Sequence, residues 1–466
     1  MKRILVLIVA AIALVGVSGV QAQSRTSYFM EGATYRNDLN PALAPTRGYL
    51  ALPLLSGVSM NATTNFLSVD NFIYQKNGQT VTALHGSVSS DEFFKKLPSL
   101  GKATFDLKTN LLGVGFYAKK MFWTFGFNMN VSGDMAMSMD MFKAVKQLGN
   151  GLYDLGDTAL EANAYFDAYL GTSFYVHENV SVGVKLKFLV GLATIDAQFS
   201  QFEANVDPDA VTGQLRGTWR ANGAFIDNSQ LRPGNMTLAD AFSTNPAYIL
   251  NNVKNYGLAV DLGTEVRLLD DHLKISAAIT DLGFIKWGGR SHIAGVAQGD
   301  FYYNGVNFDT QEVDAGGNFS TEVSDVSNSK GYTTMVNMSL NAGVEYNILN
   351  NHIAFGLLSH TKFCNTMTYS ELIASVNFRA TNWLSATFSH TFLSGNRPGV
   401  LGFALNIHPE AVNIFLGADY IDTRYVKGPT INGMQPLLGR YTKSLNLYAG
   451  MSFNFGRPKH LRASKK

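Results

Sequence analysis

The chain has 466 residues, of which 46% are hydrophobic and 15% charged. Ordinary soluble proteins carry about 25% charge, so the composition argues against a cytosolic enzyme, and an apolar content this high excludes disorder over most of the length. Glycine (44), tyrosine (20) and phenylalanine (31) are plentiful, proline (12) and cysteine (1) are scarce, and the formal charge is +2.

Lys2 and Arg3 precede an apolar run from Ile4 to Val17, and Val20 and Ala22 occupy the small-residue positions before a cut. Residues 1–22 therefore read as a secretory signal peptide. Losing Lys2 and Arg3 leaves 35 basic and 35 acidic residues, a balance that supports no nucleic-acid partner. Cys364 stands alone, so no internal disulfide forms and no cysteine after the signal accepts a lipid. No run of 18 apolar residues follows Ala22, which excludes membrane-spanning helices. A periplasmic β protein and an outer-membrane barrel remain.

Residues 23–46 are read as an N-terminal periplasmic or lumenal segment, and the strands begin after it. Trp123, Phe125, Phe127, Met129 and Val131 alternate with Thr124, Gly126, Asn128, Asn130 and Ser132, a period of two. The same alternation runs through Val180 to Val190, Leu258 to Leu268, Val336 to Tyr346 and Leu445 to Phe455. Each apolar row spans nine residues or more, where strands of soluble proteins usually run about five or six. A tilted strand crossing a bilayer needs about nine to eleven. Fourteen such strands are expected at 47–61, 103–118, 121–138, 160–177, 179–200, 254–269, 272–288, 332–347, 351–364, 368–380, 383–393, 399–408, 411–426 and 440–455. Tight connections at Lys119-Lys120, His177 to Asn179, Asp270-Asp271, Asn350-Asn351, Thr381-Asn382 and Pro409-Glu410 alternate with longer ones. That is the arithmetic of six inner turns and seven outer loops. The fold class is thus all-β, a transmembrane antiparallel barrel over 47–455, followed by a solvated basic tail at 456–466.

Irregular places stand out. Apolar parity switches near Leu111-Leu112 and between Ile279 and Leu282, which predicts bulges. Pro53 falls inside the first strand, where a closed barrel has no edge to hide the missing N–H, so an interruption is expected there. The long outer loops, 62–102, 139–159, 201–253 and 289–331, read as polar with short helical signals at Ser90 to Leu97 and Thr237 to Asn252. Trp123, Trp383 and Trp287 fit an aromatic girdle, and Trp219 has no assigned place.

The stretch Asn37-Asp38-Leu39-Asn40-Pro41-Ala42, with Arg47-Gly48-Tyr49 after it, resembles the Asn-Pro-Ala segment of the long-chain fatty-acid transporter superfamily of fourteen-stranded barrels. Together with Thr280-Asp281-Leu282-Gly283-Phe284-Ile285-Lys286-Trp287 it is similar to an uncharacterised family of Bacteroidota outer-membrane proteins. The resemblance spans nearly the whole mature chain and implies a barrel of transporter type, without a substrate. A turn or helix start explains Asn40-Pro41-Ala42 about as well, and a bulge explains Asp281 through its habit of satisfying exposed backbone donors.

Parity places Lys185, Lys187, Asp261, Glu265, Arg267, Glu345, Arg379 and His390 toward the lumen. Such charges form either a selectivity lining or a salt-bridged filling of the interior. Pro53 marks either a lateral gap for an apolar substrate or a harmless kink. No catalytic pair emerges, since Ser389 and His390 are adjacent on a strand and point to opposite faces. No metal spacing or cofactor motif is present either: His177, His272, His352 and His408 sit at or beside turns. The reading is a channel or transporter for a small, apolar compound, with membrane lipid as its surroundings. The alternative is a structural barrel, or a membrane subunit holding a protein partner through its outer loops.

Overall fold

The computed structural model describes residues 25–53, 57–76, 78–146, 151–154, 156–206, 211–226, 254–288, 292–307, 312–323, 330–366, 368–393, 400–422, 424–427, 437–440 and 444–456, with 245, 247 and 251 besides. The expected signal peptide, most of the Thr237 to Asn252 helical signal and nearly all of the basic tail lie outside the described residues.

Fourteen strands close into one antiparallel ring. They are β1 (Gly48–Ala51 and Val58–Thr64), β2 (Leu100–Ala118), β3 (Met121–Ser138), β4 (Thr158–His177), β5 (Val180–Val206), β6 (Asn255–Leu268) and β7 (Leu273–Trp287). The ring continues with β8 (Tyr332–Met335 and Met338–Ile348), β9 (Ile353–Phe363), β10 (Thr368–Thr381), β11 (Leu384–Leu393), β12 (Val400–Ile407), β13 (Val412–Ile421) and β14 (Ser444–Phe455). Each pairs with its neighbours in sequence, and β14 returns to both parts of β1. Closure matters because lipid offers no partner to a free backbone N–H or C=O.

The two faces of the wall follow the alternation. Leu170 (55% exposed), Leu186 (62%), Leu258 (58%) and Phe388 (54%) stand outward, where a bilayer covers them, while Thr124, Asn128, Asn341, Thr387 and Asn406 are buried inside. Inner turns are as short as expected. Leu269, Asp270 and Asp271 carry φ of 51°, 54° and 73°, and Leu349, Asn350 and Asn351 repeat this at 51°, 51° and 69°. Aspartate and asparagine are the side chains that best tolerate that left-handed backbone.

Three features depart from the reading of the outer loops and the aromatic girdle. First, β5 runs for 27 residues, longer than a bilayer crossing, and its outer part pairs not with β6 but with Val211–Gly223. His292–Asn307 and Glu312–Val323 extend that sheet in turn, so Trp219 lies on a strand where only polar loop was expected. Second, Trp287 is fully buried with its Nε1 donating to Thr334 Oγ1 at 2.8 Å, and is no part of a girdle. The bulge between Val260 and Leu262, opposite Asp281, turns Ile285 and Trp287 inward against Tyr165 and Leu189. Third, the cap over residues 65–99 folds on Phe72, Phe93 and Phe142, with a short helix at Ser90–Phe94 where a helical signal stood.

Arg440 Nε, at the far end of the chain, clasps this cap through Asp70 at 2.7 Å, and Lys96 adds a second contact at 3.1 Å. Burial alone would raise the Asp70 carboxyl, but the hydrogen bonds from Arg440 and Lys96 outweigh it and hold the group below its ordinary value. A depressed carboxylate stabilises the folded form above its unfolded value of about 3.9 and loses that contribution as pH falls through the folded value. Amide exchange in residues 65–99 is therefore expected to be flat from pH 7 to 5, once corrected for intrinsic rates, and to accelerate below about pH 4. Asp70→Asn should remove that acid response. On the lipid face, Leu186→Arg is expected to cost about 2–4 kcal/mol, measured by urea unfolding in vesicles.

Candidate functional site: the plugged lumen and the broken first strand

Residues 25–46 fill the lumen instead of hanging below it, with Tyr28, Phe29, Leu39 and Leu43 packed against Leu358 and Ile373 of the wall. Two close approaches show how tightly. A Cβ at Gly183 would meet Pro41 at 2.2 Å, and one at Gly263 would meet the Asn40 side chain at 2.0 Å, so only glycine lets the plug lie there. Asn40 Oδ1 accepts the Ala42 N–H at 2.9 Å, and its Nδ2 donates to Tyr28 Oη (3.1 Å) and to the Thr264 carbonyl (3.2 Å). Asn40-Pro41-Ala42 is thus a turn in the plug, seated on β5 and β6.

Charge fixes the plug at three places. Arg25 donates to Glu371 at 2.8 Å and to Tyr369 Oη at 2.9 Å, and also meets Tyr420. Glu31 meets Lys274 and lies 3.8 Å from Arg379; Glu345 joins the group, 3.2 Å from Lys274 and 2.5 Å from Arg379. Asp38 pairs with Lys185 at 2.7 Å and with Lys108 at 3.5 Å. Beside the third, Lys187 bridges Asp261 (2.8 Å) and Asp281 (2.6 Å), and Asp261 Oδ1 also accepts the Asp281 N–H that the bulge releases from the ladder. Arg267 pairs with Glu265 two residues away on β6.

Seven of the eight residues read as lumen-facing are therefore inside, buried, and engaged with opposite charge. His390 is not among them. It shares a parity with Phe388 and Phe392, its ring 4.5 Å from that of Phe392, while Ser389 points inward to Thr26 at 2.6 Å. The inward row of β11 is the polar one, Ser385, Thr387, Ser389 and Thr391, so the expected inward place of His390 is corrected to the outward face. Arg25 and Glu31 carry no signal in the sequence, because the plug has no periodicity, and Asp38 stands out only as part of the Asn37 to Ala42 stretch.

The first strand is interrupted where Pro53 stands. Leu50 pairs with Phe453 and Val58 with Ala449, so eight positions on β1 pass four on β14. On the other side β1 pairs Ala51 with Gly113 and resumes at Val58 and Thr109. The Gly57 carbonyl accepts the Asn110 N–H at 3.0 Å at the upper lip of the break, and Leu52 and Pro53 are exposed. Just above, a cavity of about 60 Å³ is lined by Arg25, Ser59, Asn61, Asp106, Lys108 and Lys362 among others.

Residues 41–419 match the family of unknown function DUF5723. The chain belongs to that family. No curated protein matches it. Among solved structures, this DUF5723 barrel is similar to the toluene transporter TodX of P. putida, at 9% identity and TM-score 0.40 over 94% of each chain. It is similar to the toluene transporter TbuX of Ralstonia pickettii at 8% identity and TM-score 0.41, over 94% of this chain and 99% of that one. The translocator domain of the autotransporter NalP from Neisseria meningitidis follows at 6% identity and TM-score 0.30, over 92% and 96%. The DUF5723 match begins at Pro41 on the plug turn, so the family span takes in the seat on Gly183 and Gly263.

Removing one partner of a buried pair leaves an uncompensated charge and costs about 3–5 kcal/mol. Glu371→Ala strands Arg25 in this way, and amide exchange over residues 25–46 should quicken accordingly while the exchange of β5 and β6 stays slow.

Proposed function

We propose that this protein is an outer-membrane passage protein for a small apolar compound, with the break in β1 as the side exit from the wall. The observation that carries this reading is the interrupted rung pattern between β2, β1 and β14, at Pro53. A closed ladder in lipid has no reason to carry an offset of four positions within one strand, since each interruption puts costly backbone groups at risk of going unpaired. A window beside a filled lumen gives such a place a use. Straight flow through the centre is opposed by the plug, whose charges would have to leave their partners. An apolar solute can instead pass sideways into hydrocarbon without crossing the inner half of the lumen.

A second reading, a membrane subunit that holds a protein partner, draws on the outer sheet built on β5 by Val211–Gly223, His292–Asn307 and Glu312–Val323. A stoichiometric partner retained in mild detergent, and lost when residues 292–323 are replaced by a short linker, would favour it.

Deleting residues 53–56 brings β1 into the register of β14. The expected result is an uptake of small apolar compounds by expressing cells that falls at least tenfold, with heat-modifiable gel mobility unchanged. Pro53→Ala, which leaves the extra residues in place, should fall less. Full uptake after the deletion overturns the side exit.

A further inference from the structure

The short connection from β9 to β10 makes its polar contacts on the far wall. Asn365 Nδ2 donates to Glu161 Oε2 on β4 at 2.6 Å, and the Thr366 N–H donates to Asp134 Oδ2 on β3 at 2.9 Å. The β9–β10 connection stands six places from β3 and β4 in a ring of fourteen, so the tip of this hairpin meets the opposite wall across the mouth. Two further contacts lie beneath it: Lys362 of β9 pairs with Asp106 of β2, and Asn61 of β1 donates to Tyr369 Oη of β10 at 3.2 Å.

Asp134 and Glu161 are direct cross-strand partners, 3% and 7% exposed. Like charges abreast on a sheet repel, and buried carboxylates need donors. Asn163 supplies one to Glu161 at 2.8 Å, and the crossing loop supplies the others. Nothing in the β9–β10 turn itself calls for a carboxylate on the opposite wall. The acidic pair and the amides that reach it are complementary.

We propose that residues 364–366 form a strap closing the outer mouth, latched on Asp134 and Glu161. The lumen then has two closures in series, the strap outside and the plug inside, with the 60 Å³ cavity between them. The strap serves the passage proposed above and rests on that reading for its purpose, while its position across the mouth is independent of any substrate. It also decides where a solute must wait: an incoming molecule meets the strap before it can reach the break in β1.

The test uses the full-length protein carrying Cys364→Ser and a reporter, Ser132→Cys, on the cavity wall below the latch. Intact cells are treated with a bulky, membrane-impermeant maleimide, and heat-modifiable mobility verifies the barrel in every variant. With the latch intact, Ser132→Cys should be protected. Asn365→Ala, and separately Asp134→Asn with Glu161→Gln, should raise its labelling rate at least tenfold. Asn365→Ala lies in a loop and guards against a variant that does not assemble. Fast labelling with the latch intact, or unchanged labelling in a folded latch variant, overturns the strap. Labelling that rises in variants that never take up an apolar compound supports the strap and counts against the transport reading.

Discussion

Every peptide group at membrane depth has to be paired within the chain, because hydrocarbon pairs with none. The even strand count, the ring that ends where it began, and the short inner turns are consequences of that one demand. Its local repairs are visible as well. Where the β6–β7 register shifts, Asp261 accepts the Asp281 N–H, and where β2 shifts, the Gly57 carbonyl accepts the Asn110 N–H. In β1 the rungs end at Ala51 and resume at Val58.

The second constraint is electrostatic. A wall that is apolar outside must be polar inside if the strands alternate, and charges in a filled interior have to be matched. The plug supplies the matches: Arg25 for Glu371, Glu31 for Lys274 and Arg379, Asp38 for Lys185. Ion pairs of this kind add little net stability over apolar packing but punish a wrong seat severely. The plug is thereby given one position, and the glycines at 183 and 263 give it the room.

Period two made the barrel legible, since a row such as Val180 to Val190 states both its length and its faces. Tight turns were legible because Asp-Asp and Asn-Asn sit where left-handed backbone is needed. The bulge near Asp281 was legible as a parity switch, but its effect on Trp287 required following the new parity to the strand end. His390 departs from the parity reading: it stands on the outward row of β11 with Phe388 and Phe392. Partners across the lumen were not legible at all. Pairing Arg25 with Glu371 or Asn365 with Glu161 depends on ring closure and shear, which no local pattern encodes. The outer sheet escaped because 211–223 has too weak an alternation to separate from loop.

The four spare residues in β1 also divide that strand into two blocks of rungs, Gly48 to Leu50 below and Val58 to Thr63 above, each paired with β14. In an unbroken strand the register is a single number, and a shift anywhere is a shift everywhere. The offset between the blocks makes two numbers of it. The upper block is held on both sides, by β14 and by β2, and because the offset of four is even every side chain stays on its own face. The seam where the chain's first and last strands meet is thus closed twice, each time in a register of its own.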